Sequence, residues 1–148
     1  MPTPALLEET VSFLHDRIPL TKAMGVGLES YNDQGLVLTA PLGPNHNHLG
    51  TAFGGSLATA AILAGYTLLW LEPGDRGSHI VIQESHLRYK APVRGDIRAV
   101  APRLEEKTLQ TFRGTYQRTG KARLTLAISI LSEGKICVEF TGTFVALR

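Results

Sequence analysis

Asn45-His46-Asn47-His48-Leu49-Gly50-Thr51-Ala52-Phe53-Gly54-Gly55-Ser56 runs straight into an uncharged stretch that ends at Leu71. A polar loop punctuated by glycines thus hands over to an apolar segment of helix length. No charged residue lies between Gly50 and Glu72. The segment is apolar on every side, so a helix here has to be buried. Its first turn carries backbone N–H groups without an intrahelical acceptor, and these face the polar loop. An anion or a polarised carbonyl suits such a terminus.

The flanking sequence supplies what would bury that helix. Upstream, Leu6, Leu7, Val11 and Leu14 follow helical spacing within Pro4 to Asp16, and Ile18-Pro19 ends the run. Met24 to Tyr31 and Leu36 to Pro41 read as two strands around the turn Asn32-Asp33-Gln34-Gly35. The loop Leu42 to Ala52 follows. The helix Phe53 to Leu71 closes at Glu72-Pro73-Gly74-Asp75, a stop signal and turn. Beyond it everything reads as strand: Ile80 to Tyr89, Ile97 to Leu104, Thr108 to Arg118, Ala122 to Leu131 and Lys135 to Ala146. Leu124, Leu126, Ile128 and Ile130 alternate with Arg123, Thr125, Ala127 and Ser129. Thr119-Gly120 and Ser132-Glu133-Gly134 read as hairpin connections. The order predicts an α+β fold, an antiparallel sheet curved around one central helix.

Length and composition agree. With 148 residues, 43% of them hydrophobic and 19% charged, the chain suits one domain over 1–148 with a substantial core. The lone Cys137 excludes an intramolecular disulfide and any multi-cysteine metal site. Glu8, Glu9 and Asp16 break up the first 20 residues, which do not read as a secretory signal, so a cytoplasmic setting is expected. The uncharged stretch is long enough to span a membrane. Ala58, Ala60, Ala61, Ala64 and Gly65 suit close helix–sheet contact better than lipid, so no membrane partner is expected.

Charge is uneven although the net value is only +2. Residues 88–123 hold 10 Lys/Arg against 3 Asp/Glu, whereas residues 1–87 hold 3 against 8. The basic block is either a set of solvated strand faces or a surface for a polyanionic small molecule. Its cations are neither contiguous nor interleaved with aromatics, which argues against nucleic acid.

Several motifs resemble the hotdog fold, in particular hotdog acyl-CoA thioesterases. They are the Asn45-x-Asn47 loop, Thr51-Ala52-Phe53-Gly54-Gly55-Ser56-Leu57, Ala64-Gly65-Tyr66-Thr67-Leu68-Leu69-Trp70, Ile80-Val81-Ile82-Gln83-Glu84 and Tyr89-x-x-Pro92-Val93-x-Gly95-Asp96. The likeness runs from about Ile18 to Val145. It is strongest to the thioesterase domain that some bacteria carry behind an acetyltransferase-like domain. The resemblance implies hydrolysis of an acyl-CoA or acyl-carrier-protein thioester. It also implies a homo-oligomer, a dimer or a dimer of dimers, with sites at subunit interfaces. No cofactor is implied, coenzyme A being part of the substrate.

In the phenylacetyl-CoA type of hotdog thioesterase an Asn stands six residues before a His-Gly-Gly that opens the central helix; here Asn47 stands six residues before Phe53-Gly54-Gly55. By resemblance Asn47 would orient water or substrate, and the Gly55 N–H would polarise the thioester carbonyl, with Gly54 permitting close approach. A helix N-terminus does stabilise negative charge growing on a carbonyl oxygen. The glycines could equally serve helix–sheet packing. Two departures stand out. The family's His is Phe53, and its helix carboxylate falls at Ile62, so the helix carries no acid.

Glu84 is the candidate to replace that acid. It lies in an otherwise apolar strand, where burial would raise its pKa, and it shares a face with His86. A solvent-facing pair is the alternative. Ser56 could bond a substrate carbonyl or cap the helix. It lacks the Gly-x-Ser-x-Gly surroundings of a serine hydrolase. Asn45, His48 and Phe53 are candidates for substrate contact. His46 and His48 lack further ligands at metal-binding spacing, so no metal is expected. Thr59 either faces the site or bonds back to its own helix. Arg88, Lys90 and Arg94 are the candidates for the coenzyme A phosphates. A hydratase or dehydratase and a non-catalytic acyl-CoA-binding domain are the rival readings.

Overall fold

The computed structural model describes residues 3–72 and 77–148. Helix α1 (Pro4–Arg17) starts with Pro4 in its first turn and Thr3 Oγ1 accepting the Leu6 N–H at 3.2 Å. A second short helix, α2 (Pro19–Met24), follows at once and ends at Gly25. The first strand therefore begins later than the sequence predicts. Strands β1 (Gly27–Asn32) and β2 (Gly35–Ala40) pair through a tight turn in which Asn32 Oδ1 accepts the Gln34 N–H at 2.9 Å.

A short 3-10 turn, Gly43–Asn45, precedes the long helix α3 (Gly54–Leu71). The turn expected at Pro73-Gly74-Asp75 lies outside the described residues. The rest comprises β3 (His79–Tyr89), β4 (Ile97–Pro102), α4 (Glu106–Thr119), β5 (Lys121–Ser132) and β6 (Lys135–Leu147). All strands join one antiparallel sheet in the order β1-β2-β4-β5-β6-β3.

Helix α3 touches β2, β3, β4, β5 and β6. Five flat strands would span about 19 Å, roughly twice the width of a helix. The sheet must therefore curl around α3, as the sequence predicts. Ten of the helix's 18 residues are buried, which explains an apolar stretch of membrane-span length inside this fold. The helix lies close on the sheet: a Cβ added at Gly65 would sit 2.5 Å from Phe144 Cζ and 3.0 Å from Ile128 Cδ1. Gly65→Ala is expected to cost about 1–3 kcal/mol by overpacking. A urea midpoint equal to wild type would contradict this.

One expected strand is a helix. Thr108 to Arg118 is rich in Thr, Phe and Tyr, which favour strands. Yet its apolar residues Leu109, Phe112 and Tyr116 recur at helical spacing, and all three are buried on one side of α4. Thr119-Gly120 is accordingly the helix's end and not a hairpin: Gly120 adopts φ +76° and its N–H donates to the Tyr116 carbonyl at 2.7 Å. The Ser132-Glu133-Gly134 hairpin forms as predicted, with Ser132 opposite Lys135.

At the far end of α3, Tyr31 bonds the buried Glu72, and Arg113 Nη2 donates to the Glu72 carbonyl at 2.5 Å. Burial first, then the Glu72 charge, pushes the Tyr31 phenol up to about 12 from 10.0. A phenol raised in the folded state stabilises the fold fully below pH 10 and loses that contribution as pH climbs to about 12. Tyr31→Phe is expected to flatten the fall in stability over this interval. An unchanged alkaline slope would rule Tyr31 out as its source.

Candidate active site

Two asparagines build the loop in front of α3. Asn45 is buried, and its Nδ2 donates to the carbonyls of Met24 and Pro41, each at 2.8 Å. The Asn45 carbonyl in turn accepts the Phe53 N–H at 2.7 Å. One residue, by side chain and backbone together, thus ties the end of α2, the end of β2 and the start of α3. The Ala52 N–H donates to the Val93 carbonyl at 2.8 Å, and Asp96 Oδ1 accepts the Leu42 N–H at 2.9 Å. Asn45 is therefore a scaffold residue, not one that meets a ligand from this position.

Asn47 closes the loop itself. Its Oδ1 accepts the N–H groups of Leu49 (2.9 Å) and Thr51 (3.2 Å), and its Nδ2 donates to Thr51 Oγ1 at 2.9 Å. Both lone-pair directions of Oδ1 are spoken for. Asn47 Oδ1 cannot accept a hydrogen bond from a water without releasing the loop; only the second Nδ2 hydrogen is left for a guest. His46 Nδ1 lies 2.9 Å from the Asn47 carbonyl, and His48 is exposed.

Helix α3 starts without a side-chain cap. Phe53 stands at the N-cap position with φ −65° and ψ 135°, and it has no side chain to accept an N–H. The Leu57 N–H is taken by the Phe53 carbonyl at 3.0 Å. The amides of Gly54, Gly55 and Ser56 meet no acceptor among the described residues. Gly55 is exposed, and Gly54 and Ser56 are partly so. Three N–H donors without an acceptor thus stand at the positive end of a buried helix, on residues that are exposed or partly so, with the Ser56 side chain beside them. Thr59 bonds back to the Gly55 carbonyl at 2.8 Å and stays within its own helix.

Two aromatic rings flank this terminus. Phe53 is 55% exposed and its ring folds over the Gly55 α-carbon. Tyr89, at the end of β3, is 54% exposed; its ring carbon Cε1 would stand 3.7 Å from a Cβ on Gly54, and its hydroxyl donates to the Gly54 carbonyl at 3.3 Å. Tyr89 belongs to the Tyr-x-x-Pro stretch but has no sequence signal of its own. Only the pairing of β3 with β6 shows it facing the helix.

That pairing also removes Glu84 from the terminus. Ser85, Leu87 and Tyr89 stand opposite Gly142, Phe140 and Val138, all buried on the helix side of β6. Glu84, His86 and Arg88 stand opposite Thr143, Thr141 and Glu139 and so point to the other face. The strand slips register between Ile82 and Glu84, which carries Glu84 off the face that Ile80 and Ile82 occupy. Glu84 is exposed and not buried as expected, and the sheet lies between it and Gly55.

The three candidate cations separate as well. Arg88 lies on the outer face. Lys90 pairs with Glu139 at 3.3 Å, an exposed ion pair of small worth. Arg94 lines a cavity of about 430 Å³ shared with Asp96, Arg98, Ser132 and Glu133. Arg98 is itself held in a two-pronged bond to Glu29, at 2.9 and 2.6 Å. A larger cavity of about 540 Å³ lies elsewhere, between α1 and β1, lined by Leu7, Val11, His15 and Leu28 among others. Neither cavity reaches Gly54 or Gly55, and the larger one has no claim on the chemistry on size alone. In a single chain the bare helix terminus is an open surface.

A six-stranded antiparallel sheet curled around one long helix is the hotdog fold. Residues 7–148 match the family described as "Putative thioesterase (yiiD_Cterm)", and the chain belongs to that family. A protein of unknown function from Chlorobaculum tepidum is 35% identical, with a TM-score of 0.91, covering 99% of this chain and 97% of that one. A putative thioesterase from Shewanella oneidensis is 30% identical, with a TM-score of 0.84, covering 99% and 100%. A Pseudomonas aeruginosa protein described as a probable thioesterase is 27% identical, with a TM-score of 0.82, covering 99% and 97%. The family and the second and third of these neighbours support thioester hydrolysis as the general activity.

Proposed function

We propose that this protein hydrolyses an acyl-CoA or acyl-carrier-protein thioester at the start of α3. The observation that carries the reading is the set of unpartnered amides at Gly54, Gly55 and Ser56 in a chain of a thioesterase family. The thioester carbonyl sits over Gly55. Water adds to its carbon, and the oxygen, now negative, is held by the Gly55 N–H with the Ser56 amide or hydroxyl beside it. One proton of the attacking water passes to the solvent; the tetrahedral species then expels the thiolate, which takes up the water's other proton, leaving a carboxylate and a free thiol. The acyl group runs along Phe53 and Leu57. Asn47 shapes the loop and offers its one spare N–H to the substrate.

The reading includes a second copy of the chain. Among the described residues β3 pairs with β6 alone, so one edge of its 11 residues is left unpaired by them. Such an edge invites pairing with another copy. A partner laid along it would wall in the surface beside Tyr89; with no acid on α3, water is positioned by neutral groups or by an acid from another strand or from that copy. We read the setting as cytoplasmic, where acyl-CoA substrates and a lone buried thiol, Cys137, are both at home. No cofactor or metal enters the scheme.

The test is thiol release from a panel of acyl-CoA and acyl-carrier-protein thioesters of graded chain length. Turnover of at least one is expected; a panel left wholly intact would reject the reading. The lack of an acid on α3 favours one alternative, a domain that binds acyl-CoA without cleaving it. Calorimetry that shows tight binding, with the ligand recovered intact, would select it.

A further inference from the structure

A helix that begins Gly54-Gly55 without a side-chain cap should fray. Each glycine loses more backbone entropy on ordering than any other residue. The first turn has no intrahelical bonds to hold its own N–H groups. Yet donors that stabilise a developing oxyanion work only if they are already in place. Something outside the helix has to hold this turn.

The geometry points to Tyr89 as that holder: a positioning residue that tethers the first turn of α3 to the sheet. The assignment rests on the thioesterase reading above. The Tyr89 hydroxyl, 35 residues away in sequence, donates to the Gly54 carbonyl at 3.3 Å, while its ring lies along the Gly54 α-carbon. The base of the tether is firm. The amides of Lys90 and Ala91 both donate to the Cys137 carbonyl, at 2.8 and 3.2 Å, just where Tyr89 leaves the strand. Tyr89 is more than half exposed, so little of its surface serves the core. Its hydroxyl and its ring both meet the turn that carries the Gly54, Gly55 and Ser56 amides. Opposite it, the Phe53 ring lies over Gly55, itself an exposed residue.

Tyr89→Phe keeps the ring and removes the hydroxyl. It is expected to lower kcat on the order of ten- to a hundredfold, as a displaced catalytic group does, with KM within about twofold of wild type. Thermal stability should hardly change, since the group is exposed. Backbone ¹⁵N order parameters of Gly55 and Ser56 should fall in the variant, and this readout needs no turnover. Tyr89→Leu, without ring or hydroxyl, should lower both kcat and the order parameters further. Unchanged order parameters in Tyr89→Phe would overturn the assignment whatever happens to the rate, because the turn would then be held by something else. A wild-type protein inert towards every thioester would reject the proposed function, and the order parameters would still decide whether Tyr89 holds the turn.

Discussion

Gly55→Pro is expected to lose about 100- to 1,000-fold in kcat, the usual consequence of removing one oxyanion donor. The substitution is chosen for what it spares. Gly55 is the second residue of α3, where the N–H has no helical acceptor, and proline is accepted in a first turn. The variant therefore loses the N–H with little loss of helix. Gly55→Ala is the control for bulk: its Cβ would collide with the far edge of the Phe53 ring, and that ring is exposed and free to swing aside. Alanine should thus retain far more activity than proline. Equal activity in the two variants, both folded by circular dichroism, would show that the Gly55 amide takes no part.

Gly35→Ala should bring the largest loss of stability, about 3–5 kcal/mol by denaturant unfolding. Gly35 opens β2 with φ +127°, a region that residues with a Cβ rarely enter. The added carbon would also strike the Ala101 carbonyl, with the Arg103 nitrogen at 2.7 Å and the Pro102 carbonyl carbon at 2.9 Å. These are backbone atoms of β4 and the residue after it, and backbone cannot rotate away as a side chain does. Relief requires β2 and β4 to part at the point where Gly35 faces Pro102. Gly43→Ala is the companion, with open space around its Cβ and no unusual φ, and should stay within about 0.5 kcal/mol of wild type. Two variants of equal stability would refute the steric account.

The central helix was legible because its signal is extreme: 18 residues without a charge, opened by glycines and closed by Glu72. The hairpin turns at Asn32–Gly35 and Ser132–Gly134 were legible because turn chemistry is local. Helix α4 was misread for the opposite reason. Its Thr, Phe and Tyr favour strands, and three buried residues at helical spacing outweighed that preference once packed against β5. The site was legible only where it is local. Gly54, Gly55 and Ser56 announce a helix start. The parts of Asn45 and Asn47 depend on carbonyls and amides that the loop presents only when folded. Glu84 was misplaced because the slip in β3 changes which face a residue takes, and alternation counted along one strand cannot reveal a slip against its partner. Tyr89 escaped notice because its contact with Gly54 joins two elements that meet only in three dimensions.

The order of strands also sets an order of events. The hairpins β1–β2 and β5–β6 close over a few residues, whereas β3 must find β6 across the chain, with His79 opposite Leu147. Closure over so long a loop is entropically slow, as it is for β2 against β4, so both long-range pairings are expected to follow the hairpins. The free edge of β3, the surface proposed above for a second copy, does not exist before then. Under that proposal, pairing along β3 waits for the monomer to be complete: a nascent or partly unfolded chain has no ordered β3 to offer.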